Sequence, residues 1–321
     1  MKRRSLILFA AGAPFVAGAA QAQNKVVRIV VGYPPGGPTD ALARIIGQAL
    51  GGALGQTAVV ENRAGGMAVI ASQLVKQAAP DGQTLLLCTN QSHATNPTLL
   101  KNPGYDPVKD FSAIAGLADI QQVLVIRKGL PVNSVPELVA YARANPGKLN
   151  YASTGVGAGA HLAMEMFKQR TGTDLVHVPF KGGAEMTQEI VAGRIDATFA
   201  TLPSVLGQIR AGTMIPLALA SDTPAPQLPT LPLLKNQGVL GCEADSWLGL
   251  VGPAGMPREL VDRYSRTVTD ILAKPDVREA IVRAGMVVRP RDSAAFGAYI
   301  EEEIKRWAAV IRTANIRIDN Q

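Results

Sequence analysis

Short apolar runs alternate with stretches of helical periodicity along most of the chain, the signature of an α/β protein built on largely parallel sheets. Val26 to Val31 reads as a buried strand. After the turn PPGGPTD, Leu42, Ile45, Ile46 and Leu50 recur at spacings of three and four, which predicts a helix over 41–54. A strand over 57–60, a helix over 67–79 and a strand over 84–88 follow. The last runs into the polar loop TNQSHATNP, and the whole is one βαβαβ unit.

A second unit opens with a strand over 122–127 and a helix whose start carries Ser134 and Glu137 at capping-box spacing. Strands over 149–152, 175–179, 195–200 and 215–220 then alternate with helices over 159–170, 184–192 and 204–211. The segment SDTPAPQLPTLP, with four prolines, has no core-forming pattern and marks a surface connection. From 247 to 251 a strand leads to PAGMP, and the remainder is helical. One helix carries Leu260, Val261, Tyr264, Val268, Ile271 and Leu272 on a single stripe; the last carries Phe296, Ile300, Ile304, Trp307 and Ile311. These helices have no sheet of their own to cover. The chain is therefore expected to cross back and complete the first unit, giving two lobes with a hinged cleft between them. Domain 1 would comprise 23–124 and 249–321, and domain 2 would comprise 125–248.

Composition narrows the class. The chain has 321 residues, 47% hydrophobic and 18% charged, which excludes general disorder. Its two cysteines, Cys88 and Cys242, exclude a disulfide framework and a cysteine-rich zinc site, and both read as buried thiols. Lys2, Arg3 and Arg4 precede an apolar segment over 5–20, and Ala20-Gln21-Ala22 has the small-x-small cleavage pattern, so residues 1–22 read as a signal peptide for a periplasmic protein. Arg3-Arg4 also fits a twin-arginine leader. Removing those three cations reduces the formal excess of +7 by three, and nucleic-acid binding loses its main support.

Two segments could carry chemistry by the same physics. Tyr33-Pro34-Pro35-Gly36-Gly37-Pro38-Thr39-Asp40 and Tyr151 to His161 (YASTGVGAGAH) each lie between a strand and a helix. Glycines there let the backbone approach a ligand, and the free N–H groups of a helix start favour an anion. Pro38 offers no N–H, which leaves Gly36, Gly37, Thr39 and Asp40 as donors in the first. The second lacks the Lys-Ser or Lys-Thr ending of a nucleotide loop and the GxGxxG spacing. Other polar loops after strands contain Thr89, Asn90, Ser92 and His93, then Phe180-Lys181-Gly182-Gly183, then Thr198 to Thr201; ordinary turn chemistry competes for all of them. Catalysis has little support. There is no GxSxG elbow and no HExxH, a Ser153 nucleophile with His161 as base has no locatable acid, and His93, His161 and His177 have no metal-ligand spacing. No metal and no cofactor are expected.

PPGGPTD at 34–40, ENRAGG at 61–66, APDGQTLLL at 79–87, YDPVKDF at 105–111, PGKLNYASTGVGAGAHL at 146–162, VHVPFKGG at 176–183 and SWLGLVGPAGMP at 246–257 occur in that order. Together they closely resemble the Bug-type family, the extracytoplasmic substrate-binding receptors of tripartite tricarboxylate transporters. The resemblance implies a two-lobed, type II periplasmic-binding-protein fold with two mainly parallel sheets flanked by helices. It implies a protein that closes on a small carboxylate and delivers it to two integral membrane subunits. Apart from the resemblance, the chain is expected to be a monomer, a ligand-sensing co-receptor for a sensor kinase is the competing reading, and a periplasmic hydrolase is a remote alternative. One ligand carboxylate would be held by backbone N–H groups and waters. By matching motif, the pocket would draw on Tyr33, Gly36, Gly37, Thr39, Asp40, Thr89, Asn90, Ser92 and His93. The other lobe would give Ser153, Thr154, Gly155, Gly157, His161, Phe180, Lys181, Gly182, Gly183 and Thr201. Three departures bear on the ligand: Pro38 stands where the family often has Ser or Gly, ENRAGG passes directly into MAVIASQLV, and Asn90 and Gln91 replace smaller residues.

Overall fold

The computed structural model describes residues 26–180, 182–316 and 318, so the expected leader over 1–22 and Lys181 lie outside the described residues. Six strands form the first sheet: β1 (Val26–Val31), β2 (Thr57–Asn62), β3 (Thr84–Thr89), β4 (Phe111–Ile120), β10 (Ser246–Pro253) and β11 (Val287–Arg291), in the order β11-β4-β10-β3-β1-β2. The second contains β5 (Gln122–Arg127), β6 (Asn150–Ser153), β7 (Val176–Pro179), β8 (Ala197–Thr201) and β9 (Met214–Leu219), in the order β7-β6-β8-β5-β9. Two helix-flanked sheets in an α/β chain match the fold class expected from the sequence. Their strand sense is more mixed than expected. β1 pairs in parallel with β2 and β3, and β6 with β7 and β8. The pairings of β10, β4, β11, β5 and β9 are antiparallel. The physical reason is the crossing: β4 runs through Gln121 straight into β5, which enters the second sheet against β8, and the chain returns through β10, which runs against both β3 and β4.

Alternation along β1 and β3 sends side chains to both faces. Val27, Ile29, Leu85 and Leu87 pack under α1 (Pro38–Leu54), α8 (Arg258–Ala273) and α9 (Pro275–Arg283). Val30, Leu86 and Cys88 face α2 (Val69–Lys76) and α10 (Ser293–Thr313). In the second sheet Leu124, Tyr151 and Phe199 meet α4 (Val135–Ala144) and α5 (Gly159–Thr171). Val123, Val125 and Ala152 meet α6 (Gly183–Val191) and α7 (Leu202–Arg210). One apolar cluster runs from the α2/α10 face of the first sheet to the α4/α5 face of the second.

Three elements depart from the sequence reading. β4 has no strand signal in the sequence, because FSAIAGLADI is rich in small residues of weak strand preference. Its glycine serves packing: a Cβ on Gly116 would lie 3.3 Å from Phe296 Cδ2, and one on Gly249 of β10 would lie 2.0 Å from Phe296 Cζ, so the Phe296 ring fills a notch of two glycines. β11, on the sheet edge beside β4, interrupts the expected all-helical tail. The expected loop after β3 is helical, a wide turn over 91–95 followed by α3 (Asn96–Leu99), with Ser92, His93, Thr95 and Asn96 buried. The two crossings are tied together: Gln121 Nε2 donates to Ser221 Oγ (2.9 Å), Ser221 Oγ donates to Asp245 Oδ2 (2.6 Å), and Gln122 Nε2 donates to Ser246 Oγ (3.3 Å).

Candidate functional site

The parallel pairing places the loops after β1 and β3 at one edge of the first sheet and those after β6, β7 and β8 at one edge of the second. These loops and the strand and helix ends that flank them hold every described residue expected at the site; Lys181 lies outside the described residues.

Gly36 lies at φ +89, a conformation glycine adopts without strain, and its N–H donates to Asp40 Oδ2 (3.0 Å). Asp40 is buried and saturated. Arg44 binds both carboxylate oxygens (2.9 and 3.0 Å), and Asn62 Nδ2 donates to Oδ1 (3.0 Å) and to the Tyr33 carbonyl (3.1 Å). Arg44 beside it holds the Asp40 carboxyl down to about 2. Asp40 thus braces the loop with its side chain, and the Gly36 N–H expected for a ligand is already used. The N–H groups of Gly37, Thr39 and Asp40 open α1 and have no intrahelical acceptor.

Behind this loop, Tyr33 Oη and Thr89 Oγ1 share a hydrogen bond (3.0 Å), and burial pushes the Tyr33 phenol up to about 12, so it stays neutral. The Thr89 N–H donates to Ser92 Oγ (3.0 Å), which also pairs with His93 Nδ1 (3.0 Å). His93 is wholly buried against Tyr105 and Phe111, and burial pushes its imidazole down to about 3. Thr89, Ser92 and His93 therefore form the support beneath the first loop. Asn90 is also largely buried. The segment after ENR makes a left-handed turn: Gly66, Met67 and Ala68 have φ of +53, +56 and +68. Asn96 Nδ2 holds the Met67 carbonyl (2.9 Å), Ser72 Oγ holds that of Ala68 (2.9 Å), and Ala68 packs so closely on Gly32 that a Cβ there would lie 2.3 Å away.

In the second sheet the loop after β6 is held by two imidazoles. Ser153 Oγ contacts His177 Nε2 (2.6 Å), the Gly155 carbonyl (2.9 Å) and the Gly155 N–H (3.1 Å). The Gly157 N–H donates to His161 Nδ1 (2.9 Å). The serine thus pairs with His177 instead of His161, its hydroxyl is buried, and among the described residues no carboxylate bonds either ring. Gly159 opens α5 beside the Gln122 amide, 3.5 Å from where its Cβ would stand. Phe180 N–H bonds the Ser153 carbonyl (2.9 Å), Gly182 caps α6, and Thr201 caps α7 with its hydroxyl on Ser204 Oγ (3.1 Å). Thr154 lies exposed on the loop.

Gly36, Gly155, Gly182 and Gly183 all border open space where a side chain would stand, whereas a Cβ on Gly157 would lie 2.8 Å from Ile318 and 3.1 Å from Leu99. Gly157 is therefore a packing contact between the halves. Among the described residues of these loops there is no lysine or arginine, and Arg44 is committed to Asp40. Among the described residues, the donors left without an internal partner beside this space are the N–H groups that open α1 and the exposed Thr154, neutral groups that suit an anion. His177, Gln122 and the left-handed turn carried no sequence signal: a histidine on an alternating strand and L-residues at positive φ declare themselves only through their neighbours.

Known proteins carry the same architecture. The family model of the tripartite tricarboxylate transporter family receptor matches residues 42–316. The protein BugT of Bordetella pertussis is 30% identical over 296 residues, 91% of this chain and 90% of its own. An R. palustris protein solved with adipate is 34% identical, with a TM-score of 0.80 over 92% of this chain and 100% of its own. MatC from Rhodopseudomonas palustris, solved with bound malate, is 30% identical, with a TM-score of 0.74 over 89% and 98%. With a family model spanning most of its length and relatives matched end to end on the same two-sheet frame, this chain belongs to the tripartite tricarboxylate transporter receptor family.

Proposed function

We propose that the protein captures a small carboxylate between the loops of its two sheets and delivers it, outside the cytoplasm, to two integral membrane subunits of a tripartite tricarboxylate-type transporter. The observation that carries this reading is the free N–H groups that open α1, beside open space at Gly36 and with open space again at Gly155 of the second sheet's loop. Its support is family membership and the adipate and malate held by the two R. palustris relatives. Direct contact falls to the N–H groups of Gly37, Thr39 and Asp40, to Tyr33 and Asn90, and across the cleft to Thr154, Gly155, Phe180, Gly182, Gly183 and Thr201. Thr89, Ser92, His93, Ser153 and His161 shape those loops from behind.

Residues 23–124 with 249–321, and 125–248, act as two bodies that close on the ligand about the crossings before Gln122 and Ser246. A ligand touching both bodies stabilises the closed state by its extra contacts there. No helix among the described residues is long and apolar enough to cross a membrane, and the leader over 1–22 supplies the export this role requires.

The test is a thermal-shift screen of residues 23–321 against succinate, malate, adipate, citrate, amino acids and aromatic acids, with calorimetry and small-angle scattering on each hit. A carboxylate at a hundredfold its Kd should contribute about 2.7 kcal/mol and raise Tm by roughly 4 °C. Scattering should show compaction. Absence of any carboxylate hit, or recovery of a chemically altered ligand, overturns the reading.

A further inference from the structure

Behind the loop at 153–159 lies a stack of three rings. Tyr151 of β6 lies 4.9 Å from His177 of β7 at 20°, and His177 lies 3.9 Å from His161 of α5 at 12°. Each imidazole holds a different part of the loop. With the Ser153 hydroxyl proton on the Gly155 carbonyl, the oxygen is left to accept from the Gly155 N–H and from His177 Nε2–H. His161 accepts the Gly157 N–H at Nδ1, so its own proton is on Nε2. The residues so pinned, Gly155 at φ +129 and Gly157 at φ +75, are those whose backbone shapes the loop.

We propose that His161 and His177 form a stacked positioning pair that sets the shape of the 153–157 loop, and that ligand capture weakens in acid when this pair takes a proton. The proposal rests on the reading that this loop receives the ligand. A proton on His161 Nδ1 would point a donor at the Gly157 N–H and leave that amide without its acceptor. It would also place a cation against a second titratable ring 3.9 Å away. The groups facing the pair are Tyr151 from β6 and Glu165 and Lys168 from α5. Glu165 Oε1 accepts from both Tyr151 Oη (2.7 Å) and Lys168 Nζ (2.7 Å), so its charge is answered locally. Leu99 and Ile318, packed on Gly157, add only apolar surface. Burial, with the neighbouring imidazole second, pushes His161 down to about 4, and burial also pushes His177 down; the pair is neutral at pH 7.

His161→Leu removes the acceptor, whereas His161→Asn keeps one at the Nδ1 position without a titrating group. The probes are malate and adipate, with amide exchange of Gly157 as a readout that needs no ligand. At pH 7.5, H161L should weaken probe binding at least tenfold and expose the Gly157 amide to exchange, while H161N stays near wild type in both. The ratio of wild-type to H161N Kd cancels the probe's own titration. It should rise from near one at pH 6 to about fourfold at pH 3.5, as a midpoint near 4 requires. Unchanged Gly157 protection in H161L, or a flat ratio, overturns the proposal. If neither probe binds the wild type, the carboxylate reading loses support while Gly157 exchange still decides the positioning role.

Discussion

Asp40→Asn tests whether the first loop is held by charge. The carboxylate is buried, takes two bonds from Arg44 and one each from Asn62 and Gly36, and stands at about 2 against an ordinary value of 3.8. A depression of that size corresponds to about 2 kcal/mol at roughly 1.36 kcal/mol per unit. Because the folded value lies below the unfolded one, the stabilisation is full well above pH 4 and is lost as pH falls through 2. About half should be gone by pH 3. Asparagine keeps the shape but not the charge, so D40N should lose about 2 kcal/mol at pH 7 by urea unfolding, and its deficit should halve by pH 3. Ligand affinity should fall with it, since an amide offers one acceptor oxygen where Gly36 and Asn62 each use one of the two. A deficit below about 0.5 kcal/mol at pH 7, or one equally large at pH 3, would refute the reasoning and leave the loop held by its backbone alone.

Gly249→Ala places a methyl 2.0 Å from Phe296 and should cost about 1–3 kcal/mol in unfolding free energy; pairing it with Phe296→Leu should recover part of that loss. The indole N–H groups of Trp247 and Trp307 both donate to Glu303 Oε2 (3.1 and 3.0 Å), and Arg306 binds the same carboxylate. Glu303→Leu strands all three and should destabilise by about 3 kcal/mol or more, with a changed tryptophan emission from the two indoles of the chain. Burial raises both thiols, Cys242 to about 12 and Cys88 further, so iodoacetamide at pH 8 should label neither in the native protein and both in guanidinium.

The helices α1, α8 and α10 were legible because each buries one stripe, and a stripe at period 3.6 is written in the order of residues. The glycine-rich loops were legible for a related reason: a turn that needs positive φ asks for glycine wherever it stands. β4 was hidden because its small residues are chosen by Phe296 and Arg291, which arrive about 180 residues later in the chain. The helical turn over 91–95 was hidden because a polar run reads as a loop until Tyr105, Asn96 and Thr89 supply its buried partners.

Sequence alone determined the α/β class, the two glycine-rich helix starts and the kinship they carry, since these depend on local periodicity and backbone freedom. Tertiary structure alone decided which donors are spent and which are open. Asp40 and Gly36 satisfy each other, Gly157 belongs to His161 and to the packing of Leu99, and His177 rather than His161 meets Ser153. A hydrogen bond joins groups by distance in space, and the spacing of residues along a chain does not contain that distance.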